Sequence, residues 1–387
     1  MYKIATLNKI SPVGLSRFSD DYTIVESPEE ADAIIVRSAD MHKMSFGPDL
    51  RAIARAGAGY NNIPIQRYAE EGIVVFNTPG ANANAVKELV IVGMLLSARN
   101  IPSAMNWCNT LNGDVKLTVE KGKSQFAGNE IQGKTLGVVG LGAIGVMVAN
   151  TAQNLNMNVL GYDPFITLEA AHNLSNTIPV ISDLADLLPQ CDYLTIHVPV
   201  NDDTKGMIDS RRLAQMKDGA VLLNFARDTL VNDDALLYAL SSGKLKHYVT
   251  DFPNDKVLGA KGVIATPHLG ASTEEAEDNC ATMAADQLMD YIENGNITNS
   301  VNYPACSLGA LNREASSRVC ILNRNIPAML GKITAIMADL NINIRDLTNK
   351  SKGEYACTLM DIDGDAGYDD LKYALKVEGI LKVRVIK

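Results

Sequence analysis

Thr135-Leu-Gly-Val-Val-Gly140-Leu-Gly142-Ala-Ile-Gly145, followed by Asn158-Val-Leu-Gly-Tyr-Asp163, decides the fold of this chain. Leu136 to Val139 is a short apolar run suited to a strand buried on both faces of a parallel sheet. Gly140 permits a tight turn, Gly142 lets the backbone approach a pyrophosphate, and Gly145 lets the next helix pack closely on the strand. A helix starting near Ala143 and Ile144 presents unpaired N–H groups and the positive end of its dipole, which hold a diphosphate without a basic side chain. Asp163 closes the second strand, where a carboxylate accepts from a ribose 2′-hydroxyl and repels a 2′-phosphate. The stretch therefore predicts a dinucleotide site that prefers NAD to NADP.

Upstream of the motif, Lys3–Leu7, Ala33–Val36, Ala52–Ala56 and Val74–Asn77 read as strands, with Pro28–Asp32 and Pro64–Glu71 as helices between them. This alternation predicts a small parallel α/β lobe. A long helical stretch, Ala83–Arg99, leads to the motif. Downstream, strand-like runs recur at Ile178–Ile181, Tyr193–His197, Ala220–Asn224, Tyr248–Asp251 and Val263–Ala265. The helix Thr273–Asn294 comes after the last of these and is expected to return to the first lobe. A turn-rich segment near Asn296–Ser317 precedes a final piece with strand Arg318–Leu322, helix Met329–Asp339, strands near Ile344–Thr348 and Ala356–Asp361, helix Asp369–Leu375 and strand Val383–Ile386. Its βαββαβ order predicts a ferredoxin-like unit. The fold class is thus α/β: two Rossmann-like, doubly wound parallel-sheet domains and a small terminal βαββαβ domain.

At 387 residues the chain is long enough for two or three domains with full cores. Its net charge of −10, from 35 basic and 45 acidic residues, argues against a nucleic-acid partner. Six cysteines without CxxC spacing indicate neither a zinc site nor a disulfide framework, and they are expected to be reduced core residues. No leader pattern and no long apolar run is found, so a cytoplasmic protein without a membrane partner is expected.

Ligands of open α/β sheets bind at the carboxyl ends of the strands, and two ends carry suitable chemistry. Val221-Leu-Leu-Asn224-Phe-Ala-Arg227 runs into a loop whose guanidinium suits a carboxylate and a polarised carbonyl. Val263-Ile-Ala-Thr-Pro267-His268 ends on an imidazole, whose ordinary pKa of about 6.5 suits proton exchange with a hydroxyl. In the first lobe Arg37 and Arg55 each sit at a strand end, beside Gly57-Ala58-Gly59, whose backbone N–H groups suit an anion. His197 reads equally as a lining or a packed residue. His42, His172 and His247 have no ligand pattern, and Glu274, Glu275, Glu277 and Asp278 fit the first turns of a helix rather than a metal site.

GLGAIG, Tyr162-Asp-Pro, Asn224-Phe-Ala-Arg227 and Pro267-His268-Leu-Gly-Ala-Ser-Thr, in this order, resemble the D-isomer-specific 2-hydroxyacid dehydrogenase family. With Val36-Arg37-Ser38, Arg55-Ala-Gly-Ala-Gly59-Tyr-Asn61 and the terminal unit, the resemblance is nearest to members acting on 3-phosphoglycerate. It implies a substrate domain of residues 1–96 completed by 272–305, an NAD domain of 97–271, a cleft closing between them, a linker of 306–317 and an ACT domain of 318–387. It assigns catalysis to Arg227 and His268, with cofactor contacts from Gly140, Gly142, Ala143, Ile144, Gly145, Asp163, Phe225, Ala226, Arg227, Asp251, His268, Leu269, Gly270 and Ala271. Substrate contacts fall to Arg37, Ser38, Arg55, Ala58, Gly59 and Asn61. The family pairs its histidine with a glutamate; here the corresponding stretch, Asp251-Phe-Pro-Asn-Asp255-Lys256, is one residue shorter and has none, leaving Asp255 nearest.

The resemblance further implies self-association through the cofactor and ACT domains and a regulatory L-serine site at Asn323, Asn325 and Asn343: Asn325 and Asn343 match positions used by serine-binding relatives, whereas Asn323 stands where some relatives have a histidine. Ala328 stands where a glycine is usual. An ACT domain that serves only as an association surface is the alternative. For the whole chain, the alternatives are a hydroxypyruvate or glyoxylate reductase and an NAD-sensing, corepressor-like adaptor.

Overall fold

Short apolar runs become five parallel strands in the first lobe: β1 (Tyr2–Leu7), β2 (Tyr22–Val25), β3 (Ala33–Val36), β4 (Ala52–Arg55) and β5 (Val74–Phe76). They pair in the order β2-β1-β3-β4-β5, with a helix, α1 (Ile65–Glu70), before the last. The inner strand β3 is buried along its whole length, as its unbroken apolar run requires. The computed structural model describes residues 1–311, 316–363 and 368–387. Among these the chain forms two compact units, 1–82 with 274–387, and 83–273.

The second unit opens with α2 (Ala83–Ala98). The expected boundary at 96 moves to 82, because Val86, Val90, Met94 and Ala98 of α2 share a core with Leu136, Val138 and Val221. Its sheet holds β6 (Thr135–Val139), β7 (Asn158–Tyr162), β8 (Tyr193–Ile196), β9 (Ala220–Asn224), β10 (Leu245–Thr250) and β11 (Val263–Ala265). All are parallel, in the order β11-β10-β9-β8-β6-β7. The connections leave β6 in opposite directions, so the topological switch lies between β6 and β8, where such sheets bind ligands. The expected strand Ile178–Ile181 is reduced to one bridge, Val180 to Gly161, held by Gly161 N to Pro179 O and Ile181 N to Gly161 O. Three residues there are solvent-facing or half-exposed at the sheet's rim, too little buried surface to extend the ladder.

After α3 (Ala143–Asn154), the long helix α4 spans Glu274–Asn294 and returns to the first lobe as expected. Its Ala281, Ala284, Leu288 and Tyr291 lie in one core with Ile4, Ala52 and Phe76. The terminal piece forms β12 (Ser316–Arg324), α5 (Met329–Asp339), β13 (Ile344–Lys352), β14 (Tyr355–Asp363), α6 (Tyr368–Ala374) and β15 (Ile380–Ile386). Its sheet is antiparallel, in the order β13-β14-β12-β15. Alternation along β12 sends Val319 and Ile321 to the helices and Cys320 and Leu322 to the core of the first lobe. Tyr355, Cys357 and Leu359 join them there, against Tyr291 and Tyr303.

Arg318 is fully buried, paired with Asp361 at 2.6 Å and donating to the carbonyls of Asn294 and Gly309. The expected linker, 306–317, lies partly outside the described residues; Cys306 and Leu311 within it are buried. Five cysteines are buried free thiols, whereas Cys108 is exposed, contrary to expectation, on a helix with no buried residue. No helix of the described residues is long and apolar enough to cross a membrane.

Candidate functional site

The glycine turn follows directly from β6. Gly140 has φ +92°, and a Cβ there would lie 2.8 Å from the carbonyl of His197, so both backbone conformation and space require glycine. A Cβ on Gly145 would meet the Gly140 carbonyl oxygen, which fixes the close approach of α3 to the turn. At Gly142, the N-cap of α3, a Cβ would meet nothing. That open space beside the first N–H groups of Ala143 and Ile144 fits a dinucleotide pyrophosphate. Asp163 accepts from Leu141 N and from Phe165 N, both at 2.8 Å, and so ties the end of β7 to the turn. His197 is half-buried at the end of β8: Nε2 lies 2.9 Å from Thr195 Oγ1, Nδ1 finds no partner among the described residues, and burial pushes its pKa down to about 3.

The strand ends of β9, β10 and β11 carry the residues that the sequence singled out for chemistry. Fully buried Asn224 closes β9 and accepts through Oδ1 from Ala226 N and Arg227 N, at 3.1 and 3.3 Å, while Nδ2 donates to Arg227 O. This Asx turn aims Arg227, whose guanidinium lies 5.0 Å over the ring of Phe252 and donates to Ala226 O. Burial draws the Arg227 pKa below its ordinary value, opposed by Asp228.

Asp251, 1% exposed, accepts from Thr266 Oγ1 at 2.6 Å, Leu269 N at 2.7 Å and Gly270 N at 2.7 Å. Its carboxylate thereby binds the loop after β11 and seats His268 at φ +55°, a left-handed conformation held by these surrounding hydrogen bonds. The His268 ring faces solvent and packs on Phe252, with centroids 4.5 Å apart. One aromatic ring therefore touches both the guanidinium and the imidazole. Phe225 and Ala226 line the first of these loops, and Leu269, Gly270 and Ala271 the second. Asp255 is exposed and makes no hydrogen bond or ion pair among the described residues, so the structure does not bring it onto His268.

In the first lobe, Arg37 follows β3 and pairs with Glu277 Oε1 at 2.6 Å, a contact between the strand end and the first turn of α4. Arg55 ends β4; its Nε donates to Arg37 O at 3.1 Å, and its guanidinium passes over Gly57, where a Cβ would collide with it. Gly57 has φ +141° and donates to Thr78 Oγ1 at 2.7 Å, while Asn77 holds Ala58 O. Asn8 Oδ1 accepts from Ser38 N and Ala39 N. Ala58, Gly59 and Asn61 remain at the surface of the same lobe.

In the terminal piece Asn323 is buried, with Nδ2 on Arg324 O and Oδ1 unpaired, whereas exposed Asn325 donates to Gly353 O and exposed Asn343 to Asp363. Sequence reading passed over Phe252, Thr266, Thr78 and the Arg37–Glu277 pair. An asparagine ending an apolar strand is a local signal for the Asx turn, but the other contacts join residues distant in sequence.

Residues 91–270 match the family model of the D-isomer specific 2-hydroxyacid dehydrogenase NAD-binding domain. The chain is 33% identical over 350 residues to the D-3-phosphoglycerate dehydrogenase of Haemophilus influenzae, covering 88% of this chain and 82% of that one. It is 35% identical over 320 residues to that of Methanocaldococcus jannaschii, covering 80% of this chain but only 59% of the relative's length. Among solved structures, NAD+-bound 3-phosphoglycerate dehydrogenase of Entamoeba histolytica superposes with a TM-score of 0.63 at 27% identity, covering 78% of this chain and 98% of that one. With its glycine turn, its paired strand-end loops and these relatives, the chain belongs to the D-isomer specific 2-hydroxyacid dehydrogenase family.

Proposed function

We propose that the chain oxidises 3-phospho-D-glycerate at C2 to 3-phosphohydroxypyruvate with NAD, the entry step of phosphorylated serine synthesis. The observation that carries this reading is the placement of Arg227 and His268 on one aromatic ring at the carboxyl ends of a dinucleotide-type sheet. NAD, held at Gly140–Gly145 and by Asp163, supplies the hydride acceptor. His268 takes the proton of the C2 hydroxyl, and Arg227 stabilises the developing carbonyl oxygen and holds the adjacent carboxylate. Arg37 and Arg55 bind the substrate's phosphate, with the backbone of Ala58 and Gly59 as further donors. The named relatives support the choice of substrate.

NADH formation with 3-phosphoglycerate, D-glycerate, D-lactate and 2-hydroxyglutarate tests the reading. The first should be used far better than the rest, and Arg37→Ala should weaken it far more than D-glycerate. Equal rates with all four would overturn the phosphate assignment.

The terminal piece is read as an ACT domain through which copies associate and to which L-serine binds near Asn325 and Asn343. Inhibition of turnover by millimolar L-serine, lost in Asn343→Ala, is the expected result. Indifference to serine leaves association alone as its role.

A further inference from the structure

Among the described residues the outer strand of the terminal sheet, β15, pairs with β12 alone. Beside it lies a cavity of about 750 Å³, walled by β15, by the end of α6 and by the first lobe near Tyr2, Asp49 and Arg51. Six cations line it, Arg51, Lys372, Lys376, Lys382, Arg384 and Lys387; Asp49 is the acidic side chain in the wall, and Arg51 is itself paired with Asp32 at 3.1 Å. Acidic residues outnumber basic ones over the whole chain, 45 to 35, so this local balance runs against the rest of the molecule.

The cations at its floor are held by carbonyls rather than carboxylates. Lys382 Nζ donates to Leu50 O at 2.6 Å. The buried Arg384 guanidinium donates to Tyr291 O and Ile292 O, at 3.2 and 2.8 Å, in the last turn of α4. No ion pair among the described residues joins Lys376, Lys382 or Arg384 to a carboxylate. Burial and the neighbouring charges of Arg384, Arg51 and Lys372 lower the Lys382 pKa to about 8, opposed by Asp49. Like charges gathered in a half-enclosed space repel one another strongly, and a bound counter-charge removes that cost. Tyr2, Ile292 and Leu375 add an apolar wall, and the volume is that of a metabolite site rather than of a lone ion.

We propose that this cavity binds a small organic polyanion with two or more ionised phosphate or carboxylate groups, recognised by Lys372, Lys376 and Lys382. Occupancy neutralises the cluster and braces the terminal sheet against the first lobe, since both supply walls.

The NAD-saturated, full-length chain is titrated calorimetrically with inorganic pyrophosphate and with citrate, using acetate at matched ionic strength as the monoanion control. The same titrations are run on a Lys372→Glu/Lys376→Glu variant, which changes two exposed side chains, and on Lys376→Ala in case the double variant fails to fold. One polyanion should bind at a single site, raise the unfolding temperature, and lose about tenfold or more in affinity in the double variant, with turnover unchanged. Preference for pyrophosphate over citrate would mark a phosphate ligand, and the reverse a polycarboxylate. No binding of either polyanion at millimolar concentration would overturn the proposal. So would equal affinity in wild type and variants, or loss of binding in Arg55→Ala instead.

Discussion

Both parallel sheets end their strands in polar loops, but they secure them differently. In the unit of residues 83–273, the loops are tied by buried acceptors: Asn224 takes two backbone N–H groups, and Asp251 takes two more and a hydroxyl. In the first lobe, the strand-end arginines are half-exposed and lean on a partner charge, Glu277, and on a glycine backbone. Buried, fully satisfied polar groups fix atoms in place, because leaving any donor unpaired costs heavily. Half-exposed cations gain less from their partners than buried groups do. The first arrangement suits chemistry that tolerates little displacement, and the second suits the capture of charge.

The sharpest way to break this contrast is His268→Ala. Turnover should fall about 10²- to 10⁴-fold while NAD affinity, measured by fluorescence quenching, and unfolding temperature hold. Asp251→Ala comes next, because three donors lose their acceptor in a buried place. Denaturant unfolding should show a loss of roughly 3 kcal/mol, where an equivalent change at half-exposed Arg37 should cost under about 1 kcal/mol.

His197 sharpens the same point through pH. Its folded pKa is about 3 against an ordinary 6.5, so below pH 6.5 the unfolded chain takes up a proton that the folded chain refuses. Stability should be complete above that pH and fall with acidification by at most about 1.4 kcal/mol per pH unit, a slope that His197→Gln should flatten in pH-dependent unfolding.

Phe252→Leu removes the ring shared by Arg227 and His268. A roughly tenfold drop in kcat, with the KM for NAD unchanged and rescue by Phe252→Tyr, is expected in steady-state kinetics. Equal losses in kcat and stability with no rescue would reduce Phe252 to packing. The smallest effect is at Ala328, held at φ +64° before α5. Ala328→Gly should stabilise the chain by about 0.5–1 kcal/mol in denaturant titration, with turnover unaffected.

Much of this architecture is legible from residue order. The strands Ala220–Asn224 and Val263–Ala265 and the helix Met329–Asp339 coincide with their apolar runs, because burial on one or both faces writes a local period. Tyr22–Val25 escaped notice because an edge strand with half-exposed positions has too weak an alternation. The helices Ile101–Cys108 and Val115–Gly122 bury no residue, so no apolar stripe marks them. At the site, the glycine turn, Arg227 and His268 stand out because each sits at a strand end. The clamp by Asp251 and the ring of Phe252 do not, since their partners lie elsewhere in the sequence and only the fold brings them together.

The terminal sheet shares its inner face with the first lobe: Cys320, Tyr355 and Leu359 are packed with Tyr291 and Tyr303, and Arg318 and Arg384 reach carbonyls of α4 and the loop after it. That seam makes the last seventy-odd residues poor material for excision or transplantation. A truncated enzyme would bare an apolar wall and invite aggregation, and a chimera carrying a foreign terminal piece would need to reproduce this wall residue by residue.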